Sequence, residues 1–255
     1  QENNDELGYT NFMMDMLNEG TKKYSSLEFD QILDSLGSNI GFGSGLDSSF
    51  VSISSLKDNL DETLDLAKEA VMYPTFPLDE IERIKKQTLA AFKREEFRPA
   101  SIAFRNIGNL LYGQDHPYGK LLIGSGVSET ITSLTQSDLL SIHKRTLNPK
   151  NLTFVVAGDI SLDEITQTLE KKFGSWNADI SSPLKDLSNV ELPDTRIVYL
   201  IDKPNAQQSY IVAGQLLPPT ATAEEIELNY MNYAIGGSFT SRLNMNLRED
   251  KSWSY

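Results

Sequence analysis

Histidine and cysteine side chains supply many of the nucleophiles, general bases and metal ligands in proteins, and both are scarce in this chain of 255 residues. Cysteine is absent, so thiolate chemistry and disulfide bonds are excluded. His116 falls in a loop before Pro117, and His143 falls in a helical pattern. Because two separated imidazoles lack the spacing of a ligand cluster, we expect both to be structural or solvated rather than bound to a metal.

A second set of polar side chains closes the chain. Gly236-Gly237 ends one helical pattern, and an amphipathic run follows in which Arg248 stands beside Glu249 and Asp250. An arginine in the last turn of a helix interacts favourably with the helix dipole, so Arg248 taken alone is an ordinary surface residue. The chain stops on Trp-Ser-Tyr without a polar tail, and we therefore expect the sequence to be a fragment.

The charge balance argues against two classes of partner. The chain has 36 acidic and 23 basic side chains, which gives a formal net charge of −13. Phosphate backbones and anionic lipids would be repelled, whereas a peptide rich in lysine and arginine would be tolerated. No apolar run approaches the roughly 20 residues that span a bilayer. We therefore predict no nucleic-acid partner and no membrane insertion.

Helical patterns occupy most of the chain. Ser25 and Glu28 form a capping box that starts a helix over residues 26–36, and Gly37 ends it. The charged run over residues 80–96 is typical of a solvated helix face. Apolar residues at helical spacing predict the other helices. These are expected over residues 8–19, 58–72, 78–97, 100–112, 136–146, 161–173, 224–235 and 240–251.

Alternating and β-branched runs predict the strands. Residues 39–44 and 48–54 alternate around Gly45-Leu46-Asp47, which is typical of a β-hairpin. Further strands are predicted over residues 152–158, 195–202 and 207–214. Helices that accompany antiparallel or mixed strands in this way indicate the α+β class.

A change of composition predicts the domain boundary. Glycine, serine and proline accumulate after residue 174, as in Ser181-Ser182-Pro183, which is typical of a linker. We predict a first lobe over residues 1–178, a linker over 179–194 and the start of a second lobe over 195–255. The second lobe is too short to complete such a unit, so we expect its sheet to be truncated.

With the elements in order, residues 8–21, GYTNFMMDMLNEGT, resemble the signature helix of the pitrilysin/insulinase family. These proteins are zinc metallopeptidases with an inverted H-x-x-E-H motif. The resemblance continues in the family's order over residues 74–77, 147–152, 155–159 and 236–255. It implies two related lobes, each with a sheet packed against helices.

The resemblance also implies where a zinc site would lie. The positions of the two zinc-binding histidines carry Asn11 and Asp15, the general base is replaced by Met14, and the third ligand falls at Ala91. Asparagine is a poor zinc ligand, methionine cannot take a proton from water, and one carboxylate does not hold catalytic zinc. We predict no metal and no catalytic residue in this chain, with zinc expected in a partner half.

Members of the family work as paired halves, and the half without zinc contributes an arginine and a tyrosine seven positions apart. Arg248 and Tyr255 match that pair in identity and spacing. The resemblance therefore implies the substrate-binding half of a peptidase, either the C-terminal half of a tandem protein or a separate subunit. Its partners would be an H-x-x-E-H half and peptide substrates, and Arg248 and Tyr255 would stabilise the oxyanion.

Two alternatives remain open at this point. Some relatives have kept the fold without proteolysis, so the chain could be a structural or assembly subunit. An independently active hydrolase that uses Asp15 or other carboxylates is a remote third possibility.

Overall fold

The computed structural model describes residues 2–120, 124–177, 187, 190 and 195–254. Contacts between residues divide the chain into two units, Gln1–Val212 and Ala213–Tyr255. Nearly all of the linker predicted at 179–194 lies outside the described residues. The predicted lobe boundaries, 1–178 and 195–255, therefore stay predictions.

Helices dominate both units. The first unit contains α1 (Tyr9–Asp15), α2 (Ser26–Leu36), β1 (Asn39–Ser44), β2 (Ser49–Ser54), α3 (Leu60–Met72), α4 (Leu78–Glu95), α5 (Pro99–Tyr112), α6 (Pro117–Lys120), α7 (Ser128–Ser133), α8 (Gln136–Thr146) and α9 (Leu162–Phe173). The second unit contains α10 (Glu225–Asn232), a π-helix (Tyr233–Gly237), α11 (Arg242–Asn244) and a second π-helix (Met245–Asp250). In the described part of the chain, no helix combines the length and apolar character needed to cross a membrane.

Local sequence signals set the ends of α2. The Ser25 hydroxyl accepts a hydrogen bond from the Glu28 amide, and the Glu28 carboxylate accepts one from the Ser25 amide at 2.9 Å. Gly37 ends the helix in the left-handed conformation, with φ of 57°. The predicted capping box and stop are confirmed.

The predicted hairpin is also confirmed. β1 and β2 pair antiparallel in a register that runs from Asn39↔Ser54 to Ser44↔Ser49. The Gly45 amide donates to the Ser48 carbonyl at 2.8 Å and closes the turn. This hairpin is the one sheet in the described residues.

The α+β class is confirmed, but the other predicted strands are wrong. Residues 152–158, 195–202 and 207–214 form no ladder with any described residue. Val198 is 93% exposed and Leu200 is 94% exposed. A β-branched run has only a propensity, and it becomes a strand when a neighbouring backbone accepts its hydrogen bonds and its side chains are packed. In the described residues no neighbouring backbone pairs with these runs, and most of their side chains are exposed.

Helix α1 lies in the middle of the core of the first unit. Five side chains in α1 and in the turn that follows it are almost completely buried: Phe12, Met13, Met14, Met16 and Leu17. The helix contacts α8 and β1. This apolar face, rather than a polar site, determines where α1 packs.

An ion pair attaches the turn after α1 to α3. The Lys23 ammonium lies 2.7 Å from Oε1 of Glu69, a residue that is only 4% exposed. The other oxygen, Oε2, is buried and has no hydrogen-bond partner among the described residues. Lys23 is therefore the cation that offsets the desolvation of the Glu69 carboxylate.

Replacing Lys23 with methionine leaves this carboxylate without a cation. Because an unsatisfied buried acceptor costs about 1–3 kcal/mol, we expect Lys23→Met to lower the free energy of unfolding by about that amount. Urea denaturation of the wild type and the variant measures this change in the free energy of unfolding. The control is Lys57→Met, because Lys57 lies 3.7 Å from an Asp159 side chain that is 98% exposed. Equal effects of the two variants would contradict the role given to Lys23.

Candidate functional site

An open depression of about 410 Å³ lies where α1, β1 and α4 meet in the first unit. It is lined by Met14, Asp15, Asn18, Glu19, Ile40, Phe42, Ile84, Gln87 and Thr88. The signature helix and the turn after it form one wall, the hairpin forms the second and the long charged helix forms the third. The depression is therefore beside the positions at which the sequence predicted a lost zinc site.

Close backbone packing fixes the start of α1. Gly8 has φ of 89°, and a Cβ atom there would lie 2.5 Å from the Cα atom of Gly126. The Glu2 carboxylate accepts hydrogen bonds from the amides of Gly8, at 2.7 Å, and Thr10, at 2.5 Å. An anion at the first turn is stabilised there by the orphan amides and the helix dipole.

Arg105 holds the glycine-containing loop against this helix end. Its guanidinium donates to the Gly126 carbonyl at 3.1 Å and to the Glu95 carboxylate at 2.7 Å. Gly124 of the same loop passes so close to Asn11 that an added Cβ would lie 3.1 Å from the Asn11 amide nitrogen. Asn11, which is half-buried, therefore lies beside this part of the loop.

The residues at the predicted zinc positions do not fit the metal. Met14 is fully buried in the core and offers only a thioether. Ala91 on α4 has no ligand atom, and Asn11 offers an amide. In the described residues, no group of three or more histidine, cysteine, aspartate or glutamate side chains is placed to hold a metal ion. We therefore derive no catalytic step through zinc for this chain.

Asp15 is the polar side chain that α1 presents to the depression. The side chain as a whole is exposed, but protein atoms around its carboxyl group partly desolvate it. This desolvation, followed by the negative charge of Glu19, raises the pKa of Asp15 above its usual value. No ion pair or hydrogen bond of its side chain is found in the described residues. Its neighbour Glu19 is paired, because Oε2 accepts hydrogen bonds from Ser26, at 2.8 Å, and from Arg83.

Arg248 belongs to the second unit, in the π-helix Met245–Asp250. Its guanidinium lies 5.3 Å from the centroid of the Phe239 ring, and Nε lies 3.6 Å from a carboxylate oxygen of Glu249. The side chain is 43% exposed. Tyr255 lies outside the described residues, so its predicted pairing with Arg248 stays a prediction.

Both histidines make structural contacts. The Nδ1 atom of His116 accepts a hydrogen bond from the Tyr118 amide at 3.1 Å, and its ring stacks on Tyr112. His143 lies 2.7 Å, through Nε2, from the Val71 carbonyl oxygen. Burial lowers the pKa of His143, which favours the neutral ring.

Sequence reasoning missed the depression and the contact between Arg248 and Phe239. The spacing of Asp15 and Glu19, four residues apart, could have indicated that they lie near each other. The contributions of β1 and α4 depend on tertiary packing and leave no local signal.

Two profiles of one family match the chain in succession. The profile described as "Insulinase (Peptidase family M16)" matches residues 1–124, and the one described as "Peptidase M16 inactive domain" matches residues 133–255. The chain belongs to the pitrilysin/insulinase (M16) family, as the resemblance predicted.

The relatives are distant and longer. An uncharacterized zinc protease of Mycobacterium leprae is 22% identical over 251 residues, which are 97% of this chain and 55% of that protein. The uncharacterized zinc protease YmxG of Bacillus subtilis is 25% identical over 97% of this chain and 58% of that protein. A protein of Helicobacter pylori named non-peptidase homolog YmxG is 23% identical, with coverage of 98% and 56%. This chain spans a little over half the length of these relatives.

Solved structures agree with this assignment. The structure of a peptidase M16 inactive domain from Pseudomonas fluorescens has a TM-score of 0.79 and 25% sequence identity to this chain. The matched region is 98% of this chain and 60% of the chain in that structure. A protease from Helicobacter pylori has a TM-score of 0.80 and 18% identity, with coverage of 99% and 60%. At that identity the second likeness concerns the fold alone.

The raised pKa of Asp15 predicts a dependence of stability on pH. A carboxyl group whose pKa is raised by folding contributes stability below the unfolded pKa of about 4, and loses it as the pH rises through the folded pKa. We expect Asp15→Asn to unfold at a higher temperature than the wild type at pH 7. The difference should disappear below about pH 4, where both side chains are neutral.

Thermal unfolding followed by circular dichroism across this pH range measures the effect. Asp163→Asn is the matched control, because Asp163 is exposed in the first turn of α9 and its loss should not raise the unfolding temperature. A destabilised Asp15→Asn variant at pH 7 would contradict the electrostatic account.

Proposed function

We propose that this chain belongs to the non-catalytic, substrate-binding half of a zinc metalloendopeptidase of the pitrilysin/insulinase type. The observation that carries the proposal is the replacement of the zinc ligands and the general base in the signature helix. Where the family has two histidines and a glutamate, α1 has Asn11, Asp15 and a fully buried Met14. A helix packed in this way offers no water-activating base.

Arg248 would be the main peptide-binding residue. Hydrolysis of a peptide develops negative charge on the scissile carbonyl oxygen, and a guanidinium can donate hydrogen bonds to that oxygen or to neighbouring carbonyls. Its position in a π-helix supports this role, because π-helical turns are frequent at functional sites. Contact with the Phe239 ring restricts the guanidinium and reduces the entropy lost on binding. Tyr255 would add a phenolic donor.

Zinc and the general base would come from an H-x-x-E-H half, on the same chain or in a separate subunit. The profile named for an inactive domain, matched by residues 133–255, supports such a division of labour. The family name and the zinc-protease names of the relatives support zinc in the partner. This chain would bind and orient the peptide, and the partner would break the bond.

A second candidate function is a structural or assembly subunit of the same fold that takes no part in proteolysis. The relative from Helicobacter pylori that is named a non-peptidase homolog favours it. The two functions differ in one measurable respect. Only the first requires Arg248 for turnover.

We expect Arg248→Ala, in the complete enzyme that contains an H-x-x-E-H half, to lower kcat/KM for a peptide about tenfold to hundredfold. Removal of one oxyanion donor typically costs about that much or more, and Arg248 is partly exposed. Zinc content should not change, because Arg248 is not a ligand.

A fluorogenic peptide assay and elemental analysis make the two measurements. The control is Arg98→Ala, which removes the same charge at an exposed residue just before α5. Turnover that is equal in the wild type and Arg248→Ala would reject peptide binding by Arg248 and favour the structural subunit.

A further inference from the structure

The depression beside Asp15 combines two kinds of surface. Ile40 and Phe42 from β1 and Ile84 from α4 contribute apolar walls, and the fully buried Met14 of α1 also borders the depression. Asn18, Gln87 and Thr88 add neutral polar groups, and Asp15 and Glu19 add carboxyl groups. Long cationic side chains match such a lining, because their aliphatic stems pack on apolar surface while their heads reach polar groups.

The two carboxylates are not equivalent. Glu19 is fixed by Arg83 and Ser26, which both contact the same oxygen, Oε2. Asp15 has neither a cation nor a hydrogen-bond donor within the described part of the chain, and the charge of Glu19 opposes its ionisation. One negative charge is therefore left without a cation on an exposed side chain that a ligand can reach. A bound cation would relieve this repulsion.

The lining suits an organic cation better than a metal ion. Zinc needs about four ligands and calcium about six to eight, and no cluster of three metal-binding side chains occurs in the described residues. An ammonium or guanidinium needs only one or two acceptors and gains from apolar walls. The net charge of −13 also favours the approach of basic peptides.

We infer that the depression formed by α1, β1 and α4 is a subsite for a lysine or arginine side chain of a bound peptide, with Asp15 as the residue that recognises the cation. The inference rests on the proposed function in one respect, namely that this chain binds peptides. It assigns a preference for basic residues to the place where the family would hold zinc.

Fluorescein-labelled heptapeptides of sequence Ala-Ala-Val-X-Val-Ala-Ala test the subsite, where X is lysine, arginine, norleucine or glutamate. Fluorescence anisotropy gives Kd for the full-length protein that contains this chain, with EDTA present to prevent hydrolysis. We expect the lysine and arginine peptides to bind about fivefold more tightly than the norleucine peptide, as for a partly exposed ion pair of about 1 kcal/mol.

Asp15→Asn should remove this preference and leave Kd for the norleucine peptide unchanged. Asp163→Asn, with the same change of charge, should retain the preference. Asp15→Lys should instead favour the glutamate peptide over norleucine, which tests the same contact with the opposite charge. Circular dichroism verifies that each variant is folded.

The outcomes separate this inference from the proposed function. Peptides that bind without a preference for lysine, or a preference that survives Asp15→Asn, would overturn the subsite and leave the role of Arg248 intact. Weaker binding of every peptide to Arg248→Ala, with the same ratio of lysine to norleucine, would support both. If no peptide binds the wild type, both are overturned.

Discussion

The burial of α1 and of the residues just after it is the constraint on which the rest of the structure depends. Phe12, Met13, Met14, Met16 and Leu17 are each at most 2% exposed. In an active peptidase of this family, the same helix presents ligands and a base to water. Here the base position belongs to the packed core, where a carboxylate would lose several kcal/mol of hydration without a partner.

This packing explains what the chain retains. Asp15 follows Met14 directly, is exposed where Met14 is fully buried, and lines the depression with β1 and α4. Arg248 is held near Phe239 in the second unit. In the proposed role both side chains offer charge for recognition of a peptide, and neither is accompanied by a metal ligand set in the described residues. Since catalysis depends on binding the transition state more tightly than the substrate, a half with the proposed binding role would still contribute to the rate.

Local interactions were predictable from the sequence, and long-range interactions were not. Ser25, Glu28 and Gly37 fix both ends of α2 through contacts within a few residues. Helix α8 has the predicted bounds, residues 136–146, because Thr135 and Asp138 cap its start. Residues 195–202 have the composition of a strand, yet a strand requires a partner that the composition cannot specify. For the same reason the resemblance indicated the family, but the depression became visible only when three elements were placed together.

The central claim is that this half holds no catalytic zinc, and anomalous X-ray diffraction at the zinc edge tests it most directly. Crystals of the complete enzyme grown with zinc would show where the metal binds. The account predicts a peak at an H-x-x-E-H motif of the partner half and none within coordination distance of Asn11 or Asp15. A fully occupied zinc ion with Asp15 among its ligands would contradict it.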